Sequence, residues 1–243
     1  IIGNLGVVQA RHMGISAVRD LARAVGADAV AIHLNPAQEL AQAGGDRDFR
    51  GGRKFLAELV TGLASDGMPV VVKETGCGIS PQLAQGLAGI GVAAVDVAGA
   101  GGTSWVAVEA ERAVADSREA RLGAAFREWG IPTAVSTAAC VRAGLVTIAS
   151  GGLRTGMDAV AALALGARAV GMAAPLLRAQ QAGGCDAIVA VVEQMADVVR
   201  AACVLTGTRR VNELAHAPKH VGGELAGWLR SLRVDSPSGP VIG

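Results

Sequence analysis

Six apolar runs, each closing on a polar or glycine-rich cluster, are spaced along the chain and separated by residues at helical period. The first, over 1–8, is interrupted by Gly3-Asn4 and Gly6 and reads as a strand end and a loop. The others cover 28–34, 68–74, 93–97, 146–149 and 169–172. Runs that are apolar almost throughout need cover on both faces, which a parallel sheet flanked by helices supplies. Between them Ile15, Val18, Leu21, Ala22 and Val25 recur at helical spacing, as do Phe55, Leu56, Leu59, Val60 and Leu63. Further helices are expected over 83–88, from Ser104, over 118–129 and over 157–165, with a long last one over 188–202. The stretch 41–53 reads as a polar loop, and Gly130-Ile131-Pro132-Thr133 as a break. This alternation predicts an α/β chain folded as a (β/α) barrel, with a doubly wound open sheet as the competitor.

A chain of 243 residues, 51% hydrophobic and 18% charged, has enough apolar material for one barrel-sized core, so a single domain over 1–243 is expected. The net charge of +1, with both signs interspersed, gives no electrostatic case for nucleic acid or an anionic membrane. No apolar run approaches the length of a membrane span. Cys77, Cys140, Cys185 and Cys203 lie far apart without a CxxC pair. That pattern predicts reduced core thiols in a cytoplasmic protein.

The second run ends in His33-Leu34-Asn35-Pro36-Ala37-Gln38-Glu39. Pro36 cannot donate to a sheet ladder, so the strand is expected to stop there and leave an imidazole, two carboxamides and a carboxylate on its C-terminal loop. Barrels keep their chemistry at that end of the strand. Taken singly, the same residues fit a loop whose amides satisfy backbone groups. Two late clusters, Ser150-Gly151-Gly152-Leu153-Arg154 and Gly171-Met172-Ala173-Ala174, follow consecutive strands. Glycine lets backbone N–H groups approach an anion, and the loops after the last barrel strands commonly hold a phosphate. Each cluster alone is an ordinary tight turn; two in sequence favour a phosphate site. Lys73 ends an apolar strand, where its charge calls for a ligand that gathers negative charge or for an ion pair with Glu74. Alternation on a strand sends these two neighbours to opposite faces. Thr103, closing the glycine run 99–102, offers a hydroxyl to the same ligand, and Glu39 is a candidate magnesium ligand beside substrate phosphates.

Together with Gly3-Asn4-Leu5-Gly6, Gly45-Asp46-Arg47-Asp48-Phe49 and Gly99-Ala100-Gly101-Gly102-Thr103, these blocks closely resemble the type 2, FMN-dependent isopentenyl diphosphate isomerases. The HLNPxQE and GDRDF blocks are the specific part; the resemblance runs from the first residue to about Leu177. It implies a TIM-type (β/α)8 barrel holding FMN, with Mg2+ and an isoprenoid diphosphate above the flavin, and NADPH as the reductant of a homo-oligomer. By position in the motifs, Asn4, Lys73, Thr103, Gly151, Gly152, Leu153, Arg154, Ala173 and Ala174 are the implied flavin contacts. Gln38 is the implied substrate-side amide, His33 and Asn35 line the same pocket, His33 and Gln38 are the implied catalytic pair, and Glu39 is the implied metal ligand. The implied reaction converts isopentenyl to dimethylallyl diphosphate with reduced flavin as the acid–base group. The family carries a further N-terminal segment with the first two barrel strands. Only six strands are placed here, so these residues are expected to be part of a longer polypeptide. The rival readings are another FMN-barrel oxidoreductase and a catalytically silent paralogue acting as a binding subunit.

Overall fold

The computed structural model describes residues 1–232. In chain order the elements are β1 (Ile2–Gly6), α1 (Val7–Ala24), β2 (Ala29–Leu34), α2 (Pro36–Ala41), α3 (Gly52–Ala64), β3 (Val70–Glu74), α4 (Pro81–Ile90) and β4 (Ala94–Asp96). They continue with α5 (Trp105–Arg112), α6 (Arg118–Ala125), α7 (Thr133–Arg142), β5 (Thr147–Ser150), α8 (Gly156–Ala164), β6 (Ala169–Gly171), α9 (Ala174–Thr206), a 3-10 turn at Val211–His216 and α10 (Gly223–Ser231).

The strands form one sheet, parallel throughout, in the order β1-β2-β3-β4-β5-β6. A doubly wound sheet reverses its strand order at a switch point. No reversal occurs here, so the sheet is six strands of a (β/α)8-type barrel. Among the described residues no strand pairs with the outer edge of β1 or of β6.

Period-two alternation divides the strands between two environments. Val30, Ile32, Val70, Val72, Val95 and Val97 join the main core with Phe55, Leu56, Leu59 and Leu63 of α3 and Ala84 and Leu87 of α4. Leu59 and Leu63 are fully buried, and burial of each such side chain is worth about 1.5–3 kcal/mol. The opposite, inner face carries Asn4, His33, Lys73, Asp96 and Ser150. Helix α4 shows how local signals fix the packing: the Ser80 hydroxyl accepts from Leu83 N–H at 3.1 Å, Pro81 opens the first turn, and Gly91 ends the helix at φ 82°.

Several elements depart from the sequence expectations. Helix α9 starts at Ala174 rather than 188 and is broken at Gly183-Gly184, and a 3-10 turn and α10 follow what was expected to be the last helix. Helix α1 is two segments that meet at non-helical Gly14 (φ 78°, ψ 164°): the second carries the expected period from Ile15, and the first, from Val7, lies where a strand end and a loop were expected. Pro36 ends β2 as expected but also opens α2. Residues 133–142, beyond the expected break, form α7, whose segment 135–140 is buried on all sides and so shows no amphipathic period. Cys140 is a core thiol, as expected; Cys77 and Cys203 are half-buried and Cys185 is exposed. Burial raises the Cys140 and Cys77 thiols to about 12 and about 11, which keeps both protonated at neutral pH. Among the described residues no helix is long and apolar enough to cross a membrane.

Candidate functional site

A pocket of 570 Å³ opens at the C-terminal ends of β3 to β6. Lys73, Thr103, Gly151, Gly152, Leu153, Arg154, Ala173 and Ala174 all line it. A smaller crevice, lined by Asn35 and Gln38, adjoins it through Thr75, Gly76 and Trp105, which belong to both. Asn4, His33 and Glu39 lie outside these linings, and Asn4 and His33 bond to each other, His33 Nδ1 to Asn4 Oδ1 at 3.3 Å.

His33 and Lys73 are register partners on adjacent strands, and Asp96 is the next partner along. Burial first, then the neighbouring Lys73 charge, lowers the His33 pKa against an opposing pull from Glu39. The imidazole is therefore neutral at pH 7. With Nδ1 donating to Asn4, its Nε2 is an acceptor above Gly6, where an added Cβ would stand 3.1 Å away. Lys73 Nζ donates to the Glu74 carbonyl oxygen at 2.7 Å, a bond to backbone at the strand end that leaves its other protons for a ligand.

Both carboxylate oxygens of Glu39 accept hydrogen bonds: Oε1 from Asn35 Nδ2 and Oε2 from Asp46 N–H, each at 2.7 Å. The first bond is internal to the HLNPxQE block, and the second ties that block to the GDRDF loop. Gln38 Nε2 donates to Glu109 Oε1 at 3.2 Å, and buried Glu109 pairs with Arg112 at 3.4 Å.

The anion-binding features lie at the β5 and β6 ends. Helix α9 has no side-chain cap, and its start, Ala173, Ala174 and Pro175, lines the pocket; Pro175 carries no N–H, so the remaining first-turn N–H groups are the donors at that end. Arg178 lines the same end and has no protein partner among the described residues. The N-terminus of α8, by contrast, is closed by its own Thr155–Asp158 capping box. Arg154 donates to the Gly152 and Gly101 carbonyls at 2.8 and 3.0 Å and bridges the two glycine loops. Thr133 Oγ1 also donates to carbonyls in both loops, Gly151 at 2.6 Å and Ala100 at 3.5 Å. This donor set and volume fit a mononucleotide-sized cofactor. Among the described residues no group of three or more His, Cys, Asp or Glu side chains is placed to hold a metal ion, and Glu39 stands alone as a carboxylate in its block.

A larger cleft of 860 Å³ lies on the helix side, among Leu34, Leu56, Leu83 and Trp129. None of the expected site residues lines it, and it has no comparable set of phosphate donors. Its floor includes Glu74, 4% exposed, whose Oε2 accepts from Thr75 and Cys77 N–H at 2.7 Å each. Burial raises this carboxyl from 4.5 to about 7, against those bonds and Lys73. The folded state thus binds the proton more tightly, and stability falls as pH rises from about 4.5 to about 7, by up to about 3 kcal/mol. His33 acts with the opposite sign in part of this window, so the difference between wild type and Glu74→Gln isolates the carboxyl. We expect Glu74→Gln to remove the Glu74 share of the decline, read from urea midpoints at pH 5 and pH 8; the same slope in both proteins would contradict it.

Asp96, Glu109 and Arg178 escaped the sequence reading. Asp96 left a signal, a lone carboxylate inside the apolar run 93–97; Glu109 and Arg178 sit in helices among other charges and left none.

The sequence matches the FMN-dependent dehydrogenase family over residues 64–221. It is 45% identical over 216 residues to the isopentenyl-diphosphate delta-isomerase of Halobacterium salinarum, covering 88% of this chain and 59% of that protein. It is 41% identical over 238 residues to the protein of that name from Methanothrix thermoacetophila, covering 97% and 65%. The resemblance seen in the motifs is thereby borne out, and the chain spans less than two thirds of the length of these relatives. A mandelate oxidase variant with (S)-mandelic acid superposes with a TM-score of 0.61 at 20% identity, over 90% of this chain and 63% of the other. GMP reductase from Trypanosoma brucei gives 0.57 at 20% identity, over 87% and 43%. At such identity these structures show the shared barrel fold alone. By sequence and by fold, then, the chain belongs to the FMN-dependent dehydrogenase family.

Proposed function

We propose that this chain holds FMN in the pocket at the β3–β6 ends and isomerises isopentenyl diphosphate to dimethylallyl diphosphate with Mg2+. The observation that carries this is the pocket itself, where Lys73 faces two glycine loops and the uncapped start of α9 beside the Asn35–Gln38 crevice. Lys73 offers a cation to a ligand that gathers negative charge. The α9 N–H groups and Arg178 receive the cofactor phosphate. Glu39 anchors the metal that offsets the substrate diphosphate, and Asn35 and Asp46 hold its carboxylate in place. His33, bonded to Asn4 and the register partner of Lys73, flanks the pocket as a neutral imidazole and supports the strand end from which Lys73 projects. Gln38, fixed by Glu109, orients the substrate; its amide is a poor acid. Reduced FMN, when bound, supplies the acid–base group that protonates one carbon while a proton leaves another. NADPH as reductant, a homo-oligomeric state, a cytoplasmic location and a single barrel domain over 1–243 belong to the same proposal.

The full chain is assayed with oxidised FMN, with dithionite-reduced FMN and without flavin. Turnover is expected only with the reduced form, and equal turnover without flavin would sink the proposal. Gln38→Ala should lose at least about tenfold in kcat with FMN affinity little changed. Glu39→Gln should shift the magnesium titration to higher concentration, and an unmoved titration would assign the metal elsewhere.

A further inference from the structure

Asp96 is a charged group on the inner face that the proposed chemistry leaves without a task. It is the register partner of Lys73 on the adjacent strand, and both line the 570 Å³ pocket. Adjacent parallel strands lie about 4.8 Å apart, so the carboxylate and the ammonium are next-door groups on one face. They form no ion pair: Lys73 Nζ is turned to the Glu74 carbonyl, while Asp96 Oδ1 accepts from the Ser150 hydroxyl and from Ala98 N–H at 3.3 Å. Ser150 opens the Gly151-Gly152 loop, so one hydrogen bond joins the carboxylate to the phosphate end of the pocket. In strand order Asp96, on β4, stands between Lys73 on β3 and the β5–β6 loops. A ligand with its phosphate at those loops and its ring at Lys73 passes over it.

A fixed carboxylate there opposes the ammonium. Opposite charges at neighbouring positions partly cancel at any third point, and in a half-buried pocket screening is weaker than in bulk water. We propose that Asp96, held by Ser150, is the counter-charge to Lys73 and a positioning residue that lowers the reduction potential of the bound flavin. This rests on the FMN reading above. The two residues pull the two-electron couple in opposite directions: the cation favours the reduced anionic ring, and the carboxylate disfavours it. Ser150 fixes the carboxylate at one place and leaves the ammonium free for the ligand.

The test uses the full chain reconstituted with FMN, with midpoint potentials from equilibrium titration against reference dyes and the affinity for oxidised FMN from fluorescence quenching. Asp96→Asn keeps an acceptor for Ser150 and removes the charge. It should tighten reduced over oxidised FMN about tenfold, a rise of about 30 mV for a two-electron couple. Asp96→Glu, which restores the charge, should return toward the wild-type potential; where Asn does not fold, Asp96→Ala carries the same expected sign. An unchanged potential in a variant that binds FMN overturns the proposal alone, as does an equal rise in Asp96→Glu, which marks a packing effect. Failure of the wild type to bind FMN overturns the cofactor reading, and this proposal with it.

Discussion

Lys73→Met lowers the midpoint potential of bound FMN by about 30–60 mV, equivalent to a ten- to hundredfold loss of preference for the reduced form. A unit charge 4 Å from another interacts with about 4 kcal/mol at an effective dielectric of 20, which sets the ceiling. Lys73 is half-buried, so solvent screening brings the effect below that ceiling. The ammonium makes one protein hydrogen bond, to the Glu74 carbonyl. Methionine keeps the length of the side chain and its packing, so the urea midpoint should barely move. Redox titration and urea unfolding on the same preparation distinguish a ligand-facing cation from a structural one. A stability loss with an unmoved potential would assign Lys73 to the fold.

Gly151→Ala should be the most damaging small substitution in the pocket. Gly151 has φ 99°, outside the range that side-chain-bearing residues adopt readily, and a Cβ there would stand 2.2 Å from Gly99 O and 2.6 Å from Gly99 N. Backbone cannot yield as the end of a side chain can. Conformational strain of about 1–2 kcal/mol and overpacking of about 1–3 kcal/mol together take a large share of a typical domain's stability. The interlocked loops 99–102 and 150–154 should separate, and FMN affinity should fall at least about tenfold, since those loops shape its phosphate end. Gly89→Ala is the matched control. Gly89 lies in α4 with nothing within 4 Å of its Cβ position, so alanine there should stabilise by about 0.5–1 kcal/mol. Urea midpoints and FMN titration of both variants check the pair; wild-type behaviour of Gly151→Ala would show that the loops are not locked.

Strands and amphipathic helices were legible because burial on one or both faces writes a period into the residues. The run 28–34 became Ala29–Leu34, and the Phe55–Leu63 spacing became the buried face of α3. Helices without a polar face were not legible: the segment 135–140 is buried all round, and a helix with no exposed stripe leaves no period. The two meanings of Pro36, strand stop and helix start, are likewise identical in sequence.

The same division runs through the site. The chain by itself determined Lys73 at a strand end, the two glycine clusters and the HLNPxQE block, because each is a local departure from an apolar or helical pattern. Only the tertiary structure decided which of these meet. Gln38 finds Glu109, 71 residues away, because α2 and α5 come together over the β3 loop. Asp96 finds Ser150, 54 residues away, because β4 and β5 are neighbours in the sheet. The uncapped start of α9 faces the same pocket as Lys73 because β6 brings it there. Residue types and their periods are set by local burial, whereas the pairing of distant charges depends on strand order and register, which backbone hydrogen bonds fix without regard to the side chains they carry together.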